Sequence, residues 1–362
     1  MSVLSRLLEK GSHEPELIRR IKELAMSIGF TETLFVSVAG DNSDGSSHAH
    51  AYTSLKTALD WIEANQVTGE TRLIMLGSGI WDMNLTGVPI YTKAIAIYGI
   101  DSRNQALILN SHATATGVLK FTGWCSLNNI TIDCGLGEIG IEIEGTGAIG
   151  SRLRKLHFDC EALTGAADAI LIDGGASYVK LWDIHIDGEV VNTTAIRLNN
   201  ANHCQIQEIK THNILVGIHL DNALDDNNVI ENIHLNTCIT GLLIDAGAAN
   251  NHFEHIFFHN NTTRIDDNGT TTRFTNIHLG VATTIIAPDD VAGVSITGAA
   301  GANNWTAVAV QIRAASATPF RIVGVRFECA VAERTGIRLY SDGGTNPIFQ
   351  DLIETGVAIA GK

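Results

Sequence analysis

One short alternating motif recurs through the middle of this chain at a period that few architectures can absorb. It reads Asn129-Ile130-Thr131-Ile132-Asp133, Lys155-Leu156-His157-Phe158-Asp159 and Asp183-Ile184-His185-Ile186-Asp187. It continues as Glu208-Ile209-Lys210-Thr211-His212, Asn232-Ile233-His234-Leu235-Asn236, His255-Ile256-Phe257-Phe258-His259 and Asn276-Ile277-His278-Leu279-Gly280. The leading apolar positions 130, 156, 184, 209, 233, 256 and 277 are 26, 28, 25, 24, 23 and 21 residues apart. A second alternating segment keeps the same beat: Gly140-Ile141-Glu142-Ile143, Ala169-Ile170-Leu171-Ile172, Ala195-Ile196-Arg197-Leu198, Gly217-Ile218-His219-Leu220 and Gly241-Leu242-Leu243-Ile244. Two strand phases sharing one period mean coils stacked on one another, each burying its apolar positions against its neighbours.

Leucine-rich repeats have a similar period, but they need a Leu-rich consensus and helical outer segments, which are missing here. A right-handed parallel β-helix fits, with two or three short strands per coil joined by tight turns. The turn chemistry agrees: the chain holds 35 Gly but only 5 Pro, and Gly and Asn supply left-handed turn conformations. Asn129, Asn232 and Asn276 precede the first-motif strand and read as turn residues, in a hydrogen-bonded ladder. At 45% hydrophobic and 17% charged residues, a sizeable core is available and disorder is excluded.

Upstream, a strand is expected over 33–38, a polar loop over 39–52, a helix over about 54–65 with Leu55, Ala58, Leu59 and Ile62 on one face, and strands over 71–76 and 94–98. The order Phe35-Val36-Ser37-Val38-Ala39-Gly40-Asp41-Asn42-Ser43-Asp44-Gly45, then Ala51-Tyr52-Thr53-Ser54-Leu55-Lys56-Thr57-Ala58-Leu59, then Leu73-Ile74-Met75-Leu76-Gly77-Ser78-Gly79-Ile80-Trp81 resembles the opening of pectate-lyase-like β-helices. Strand, Gly/Asp loop, capping helix and first coil follow in that order. The resemblance covers roughly residues 33–280. That superfamily includes polysaccharide lyases, polygalacturonases, and tailspike and other virion proteins of bacteriophages, so it is specific for architecture and not for activity. Resemblance to the phage spikes implies a homotrimer.

The formal charge of −15 disfavours a general nucleic-acid partner, because phosphate binding needs a positive field. No apolar run is long enough to span a membrane. Residues 1–30 mix Arg6, Lys10, Arg19, Arg20 and Lys22 with Glu9, Glu14, Glu16 and Glu23, which is no signal peptide. They read instead as one or two helices, with Ser12 as N-cap and Leu17, Ile18, Ile21, Leu24, Ala25 and Ile28 on one face. The segment is a cap or an attachment element, with Leu17, Ile21 and Leu24 as attachment residues. Six cysteines without zinc spacing read as free and buried. Cys134 and Cys160 fall one coil apart; a disulfide between them is geometrically conceivable, and reduced stacked thiols are expected.

Outward columns carry the candidate chemistry. One holds Asp133, Asp159, Asp187, His212, Asn236 and His259; the other holds Thr131, His157, His185, Lys210, His234, Phe257 and His278. Stacked strands lie about 5 Å apart. Carboxylates about 5–5.5 Å apart suit retaining glycosidases, and a spacing of two coils approaches the inverting range. Asp159 and Asp187 are therefore catalytic candidates, with Asp133 or His185 assisting. Such a carboxylate pair could also hold Ca²⁺; otherwise no cofactor is implied. Against this stands plain turn chemistry for the Asp column and a surface or interface role for the histidines. His157 and His185 are neighbours that could bind a transition metal, but two imidazoles without a third ligand make a weak site. The loop Asp41–Gly45 lacks the EF-hand pattern and reads as a turn. Trp182, beside Asp183, offers the best local case for glycan binding, with aromatic content only 6% overall.

The expected organisation is an N-terminal helical segment (1–32), a parallel β-helix (33–285) and a C-terminal β-rich module or terminal coils (286–362), where the repeat phase is lost. The expected function is that of a bacteriophage virion structural protein, a tailspike, fibre or head-surface spike, binding a host-surface polysaccharide. It would contact other virion proteins through residues 1–32 and assemble in the host cytoplasm. A polysaccharide-cleaving enzyme using the Asp column is the alternative, and a bacterial surface adhesin the third reading.

Overall fold

The computed structural model describes residues 29–277 apart from 48, 101–105, 136–138, 161–166, 189–192, 270–271 and 276, with isolated helical positions before residue 29 and the backbone of short strands between 285 and 355. The chain winds into a parallel β-solenoid. Three ladders of strands stack along it, and among the described residues each coil from Arg72 to Asp267 adds a short segment to each ladder. The first ladder stacks Glu32–Val36, Arg72–Leu76, Ile95–Gly99 and Cys125–Asn128 under 152–154, 180–182, 205–207, 229–231, 252–254 and Arg273–Thr275. The second stacks Gly79–Asp82, Ala106–Leu109 and Thr131–Asp133 under 157–159, 185–187, 210–212, 234–236 and 257–259. The third runs from Ile90–Tyr91 through Gly117–Phe121, Ile139–Glu144, Ala167–Asp173 and Thr193–Asn199 to Thr263–Asp267. All these pairings are parallel, which the alternating sequence requires once each coil lands one turn above the last.

The expected inward positions are the core. Ile130, Leu156, Ile184, Ile209, Ile233, Ile256 and Ile277 are all buried, as are Ile141, Ile170, Ile196, Ile218 and Leu242. A small-residue column runs beside them. At Gly241 an added Cβ would sit 2.6 Å from the Arg264 carbonyl oxygen and 2.5 Å from Phe258, so only glycine fits there.

A single left-handed residue makes the corner between the first and second ladders. It is Asn129, Lys155, Asp183, Glu208, Asn232 and His255 in successive coils, at φ between 53° and 61°. Asn129 and Asn232 are thus turn residues, as their identity implied, and Asn129 also donates from Nδ2 to the Gly99 carbonyl at 2.9 Å. Asn276 lies outside the described residues. The other four corner residues accept a conformation that costs a non-glycine about 1–2 kcal/mol, held by the ladders on both sides.

A buried asparagine ladder does exist, but at a different corner. Doublets Asn227-Asn228 and Asn250-Asn251 each place a left-handed residue first and a fully buried one second. Asn251 Oδ1 accepts from Asn228 N at 2.9 Å and Asn228 Oδ1 from Cys204 N at 2.8 Å. Their amide groups donate to the Asp225 and Ala201 carbonyls. This network satisfies backbone groups that the turn would otherwise strand in the interior.

Helix α1 (Leu55–Asn65) is N-capped by Ser54, whose side chain accepts from Thr57 N, and it buries Leu55, Ala58, Leu59 and Ile62. It packs on the strands of the first coil, covering the open end of the solenoid. Arg19, Lys22, Glu23 and Met26 are helical, while Leu17, Ile21 and Leu24 lie outside the described residues. Past Ile277 the first ladder continues through Asp290–Ala292, Arg321–Val323 and Ile348–Gln350. Ser295–Thr297, Arg326–Glu328 and Ile353–Thr355 stack as a second parallel set, and Val310–Ala314 pairs in parallel with Ile337–Ser341.

Cys125, Cys134, Cys160, Cys204 and Cys238 are buried and free, with Cys134 and Cys160 sulfurs 2.8 Å apart. Burial pushes the Cys125 and Cys204 thiols up to about 12 and Cys238 to about 11, so these thiols are inert at neutral pH.

Candidate functional site

The outward face of the second ladder is where the sequence placed its chemistry, and the register there is as the repeat dictates. Asp133, Asp159, Asp187, His212, Asn236 and His259 are successive partners, and so are Thr131, His157, His185, Lys210, His234 and Phe257. Inward-pointing Phe158, Ile186, Thr211, Leu235 and Phe258 alternate with them and are buried.

Over the last four of these coils the face dips into an open groove of about 620 Å³. Its outward lining is His185, Asp187, Lys210, His212, His234, Asn236, Phe257 and His259. That volume falls in the range of small-molecule and saccharide sites. The composition is unusual for so acidic a chain: one carboxylate, one ammonium, four imidazoles, an amide and an aromatic ring. His234 and Phe257 stack flat, with ring centroids 4.7 Å apart and planes 10° from parallel. Burial, with the Lys210 charge second, holds the His234 imidazole below its ordinary value.

Asp187 is the hub of one end. Its carboxylate oxygens lie 3.5 Å from His157 Nε2, 3.6 Å from His185 Nε2 and 3.8 Å from His212 Nδ1. The His157 and His185 rings meet edge to face at 5.2 Å. The structure therefore brings Asp187 and His185 together, with Asp159 one strand away and in register. Asp133 accepts from Gly135 N at 3.0 Å, a turn bond that occupies one of its oxygens. Thr131 keeps its place in the outward column as the register partner of His157 and is covered there.

Trp182 and Asp183 fall elsewhere. Asp183 is the left-handed corner residue, and Trp182 lies before it, on the first ladder. The Trp182 indole is 40% exposed, but the Arg154 guanidinium covers one ring face at 4.1 Å. Its Nε1 donates to Glu208. Neither residue lines the groove. The sequence pointed to the tryptophan as the sugar-stacking group; the ring that does line the groove is Phe257, already visible in the middle outward column. In the Asp41–Gly45 loop the carboxylates accept from Ser43 N and Ser46 N, the bonds of a turn.

The third ladder carries a different face. Lys120 Nζ bonds Glu142 at 2.8 Å and Glu144 at 2.7 Å. Burial works against that ammonium, and the two carboxylates outweigh it and raise its pKa. Arg197 Nε donates to Asp221 at 2.8 Å and its Nη1 reaches Asp168 at 3.5 Å. Burial raises the Asp168 carboxyl pKa against the pull of Arg197. His219 Nε2 meets Asp245 at 3.1 Å and Asp221 at 3.6 Å.

No family model and no curated protein matches the sequence. Among solved structures, the chain is similar to endo-xylogalacturonan hydrolase from Aspergillus tubingensis, with TM-score 0.54 and 12% identity over 90% of this chain and 96% of that one. It is also similar to the tailspike protein of E. coli bacteriophage HK620, solved as a mutant in complex with a pentasaccharide, with TM-score 0.57 and 14% identity. That match covers 85% of this chain and 62% of the tailspike, so the chain spans less than two thirds of the tailspike's length. At such identities the likeness is one of fold alone: the chain is a parallel β-solenoid, as those proteins are.

Proposed function

We propose that the chain is a saccharide-binding β-helix, and that the second-ladder groove from His185 to His259 is its binding site. The observation that carries this is the lining itself: hydrogen-bonding imidazoles, an amide, an ammonium and a half-buried aromatic ring along four coils of the ladder. Stacked strands repeat these groups about every 5 Å, close to the length of a sugar residue. The Lys210 ammonium is the lining's one fixed positive charge, and with the neutral N–H donors of the imidazoles it suits a saccharide carboxylate, such as a uronate, as well as sugar hydroxyls.

The likeness to a phage tailspike crystallised with a pentasaccharide supports placing this binding on a virion spike that meets a host-surface polysaccharide. In that reading the spike is a homotrimer, residues 1–32 attach it to other virion proteins through Leu17, Ile21 and Leu24, residues 33–285 are the β-helix, and 286–362 its terminal coils. A surface adhesin would use the same groove.

A second reading is favoured by one specific feature, the in-register pair Asp159 and Asp187 beside His185. Neighbouring strands put such carboxylates near the separation used for retaining glycoside hydrolysis. Asp187 would then act as one carboxylate of the pair, Asp159 as the other, and His185 would orient Asp187; Asp133 would sit at the margin. A cation such as Ca²⁺ on that pair is the remaining variant of this reading.

A panel of acidic and neutral polysaccharides, scored for binding and for reducing-end or unsaturated products, tests both. Binding of an acidic glycan that weakens at least tenfold in Lys210→Ala is the expected result. Product release that disappears in Asp159→Asn and Asp187→Asn would make the chain a depolymerase. Binding unaffected by Lys210→Ala would remove the groove from the reading.

A further inference from the structure

We propose that His157, His185 and Asp187 form a binding site for a borderline divalent cation of the Zn²⁺ or Co²⁺ class, at one end of the second-ladder groove. The cluster supplies the third ligand that two stacked imidazoles lack. One ligand atom from each of the three residues can be chosen so that all lie within 4.8 Å of one another. The two closest His–Asp separations, 3.5 and 3.6 Å, are the informative ones. A tetrahedral ion with ligand bonds of about 2.0–2.1 Å holds neighbouring ligands about 3.3–3.5 Å apart. The two separations run to different Asp187 oxygens, Oδ2 for His157 and Oδ1 for His185, and are slightly too wide for direct hydrogen bonding; an ion would draw the three ligand atoms closer than the 4.8 Å within which they lie.

The donor set fits the same class. Two imidazoles with one carboxylate suit Zn²⁺ and its neighbours, whereas Ca²⁺ and Mg²⁺ take oxygen ligands. His157 and His185 meet edge to face at 5.2 Å, a favourable ring contact that leaves the Nε2 of each beside the Asp187 carboxylate. The side chains of all three are 21–40% exposed, which leaves coordination positions open towards solvent and the groove. His212 Nδ1 lies 3.8 Å from the Asp187 oxygen that also faces His185 but outside the three-residue cluster.

The comparison within the molecule is instructive. His219, Asp221 and Asp245 on the third ladder also come within 4.8 Å. There Arg197 already binds Asp221, and His219 already hydrogen-bonds Asp245. A cation at that cluster would have to displace a guanidinium. Among the described residues, the ion-pair partners of Asp187 are imidazoles alone.

The test is a titration of chelator-treated full-length protein at pH 7.5, with Zn²⁺ by calorimetry and with Co²⁺ by visible absorption. One equivalent per chain is expected, with Co²⁺ bands of an ion bound by nitrogen and oxygen. His157→Gln and Asp187→Asn should each weaken binding at least tenfold, and His219→Gln should not. In the wild type, Zn²⁺ should protect His157 and His185 from diethylpyrocarbonate, read by mass spectrometry, while the remote His112 still reacts. That readout keeps the test decisive if a variant fails to fold. No stoichiometric binding, equal binding in the His157 and Asp187 variants, or unprotected His157 and His185 would overturn the proposal. Because no saccharide is present, the result is independent of whether the groove binds one.

Discussion

The second and third ladders are built by the same repeat, yet their outward faces have opposite character. On the third, charges are spent on one another: Lys120 between Glu142 and Glu144, Arg197 between Asp168 and Asp221. On the second, a groove lined by histidine, lysine, asparagine and phenylalanine keeps its hydrogen-bonding capacity turned outwards. A face whose polar groups answer each other stabilises the coil stack. A face whose polar groups are paired only loosely, as Asp187 is with its imidazoles at 3.5–3.8 Å, is where a ligand gains most, because its bonds replace chiefly those to water.

Four substitutions would break or sharpen this contrast. Arg197→Ala should have the largest effect on stability, because it leaves the nearly buried Asp168 without its main counter-charge. The loss should be about 2–3 kcal/mol by denaturant melting, below the range for fully buried pairs since Arg197 is more than a third exposed. Saccharide binding should be unchanged, and lost binding would mean that the two faces are not independent. Phe257→Ala should do the reverse, lowering saccharide affinity at least tenfold, about 1.4 kcal/mol, with a smaller change in melting.

Asp225 lies in the interior between the faces, and its effect is a matter of pH. Its carboxylate accepts from Ala201 N and Asn222 N at 2.7 Å each, and burial still pushes it up to about 6. The folded chain therefore holds this proton to higher pH than the unfolded chain. Its contribution is fully present below about pH 4 and lost as the pH rises through about 6. Between pH 5 and 8 the loss should be about 1 kcal/mol, and the melting temperatures of Asp225→Asn should show a correspondingly flatter slope. An identical slope in the variant would contradict that assignment. Glu144→Gln should be smallest, under about 1 kcal/mol and fading in high salt, since Glu144 is a partly exposed partner of Lys120.

The sequence made the ladders legible because a buried position repeats every coil: Ile130 to Ile277 could be aligned by eye, and the register of Asp133 to His259 followed. α1 was equally visible, with Ser54 capping and the same four residues buried. Corners were harder. Lys155, Glu208 and His255 adopt a left-handed conformation that their side chains do not advertise, and only their place in the register marks them. The buried asparagine ladder is marked not by the single asparagines before each motif but by the Asn-Asn doublets 227–228 and 250–251, 23 residues apart. Trp182 stands apart from the groove for a related reason. Being next to Asp183 in sequence says little across a corner that turns the chain onto another face. Which outward histidines converge on Asp187 depends on side-chain direction between neighbouring coils, and a linear repeat does not encode that.

The most direct test is a crystal structure with the best-bound saccharide from the panel. The expected result is sugar lying in the second-ladder groove, over Phe257 and within hydrogen-bonding reach of Lys210, Asn236 and His259, with the third-ladder ion pairs undisturbed. Sugar bound on the third ladder, or beside Trp182 with the groove empty, would contradict the division of labour between the two faces.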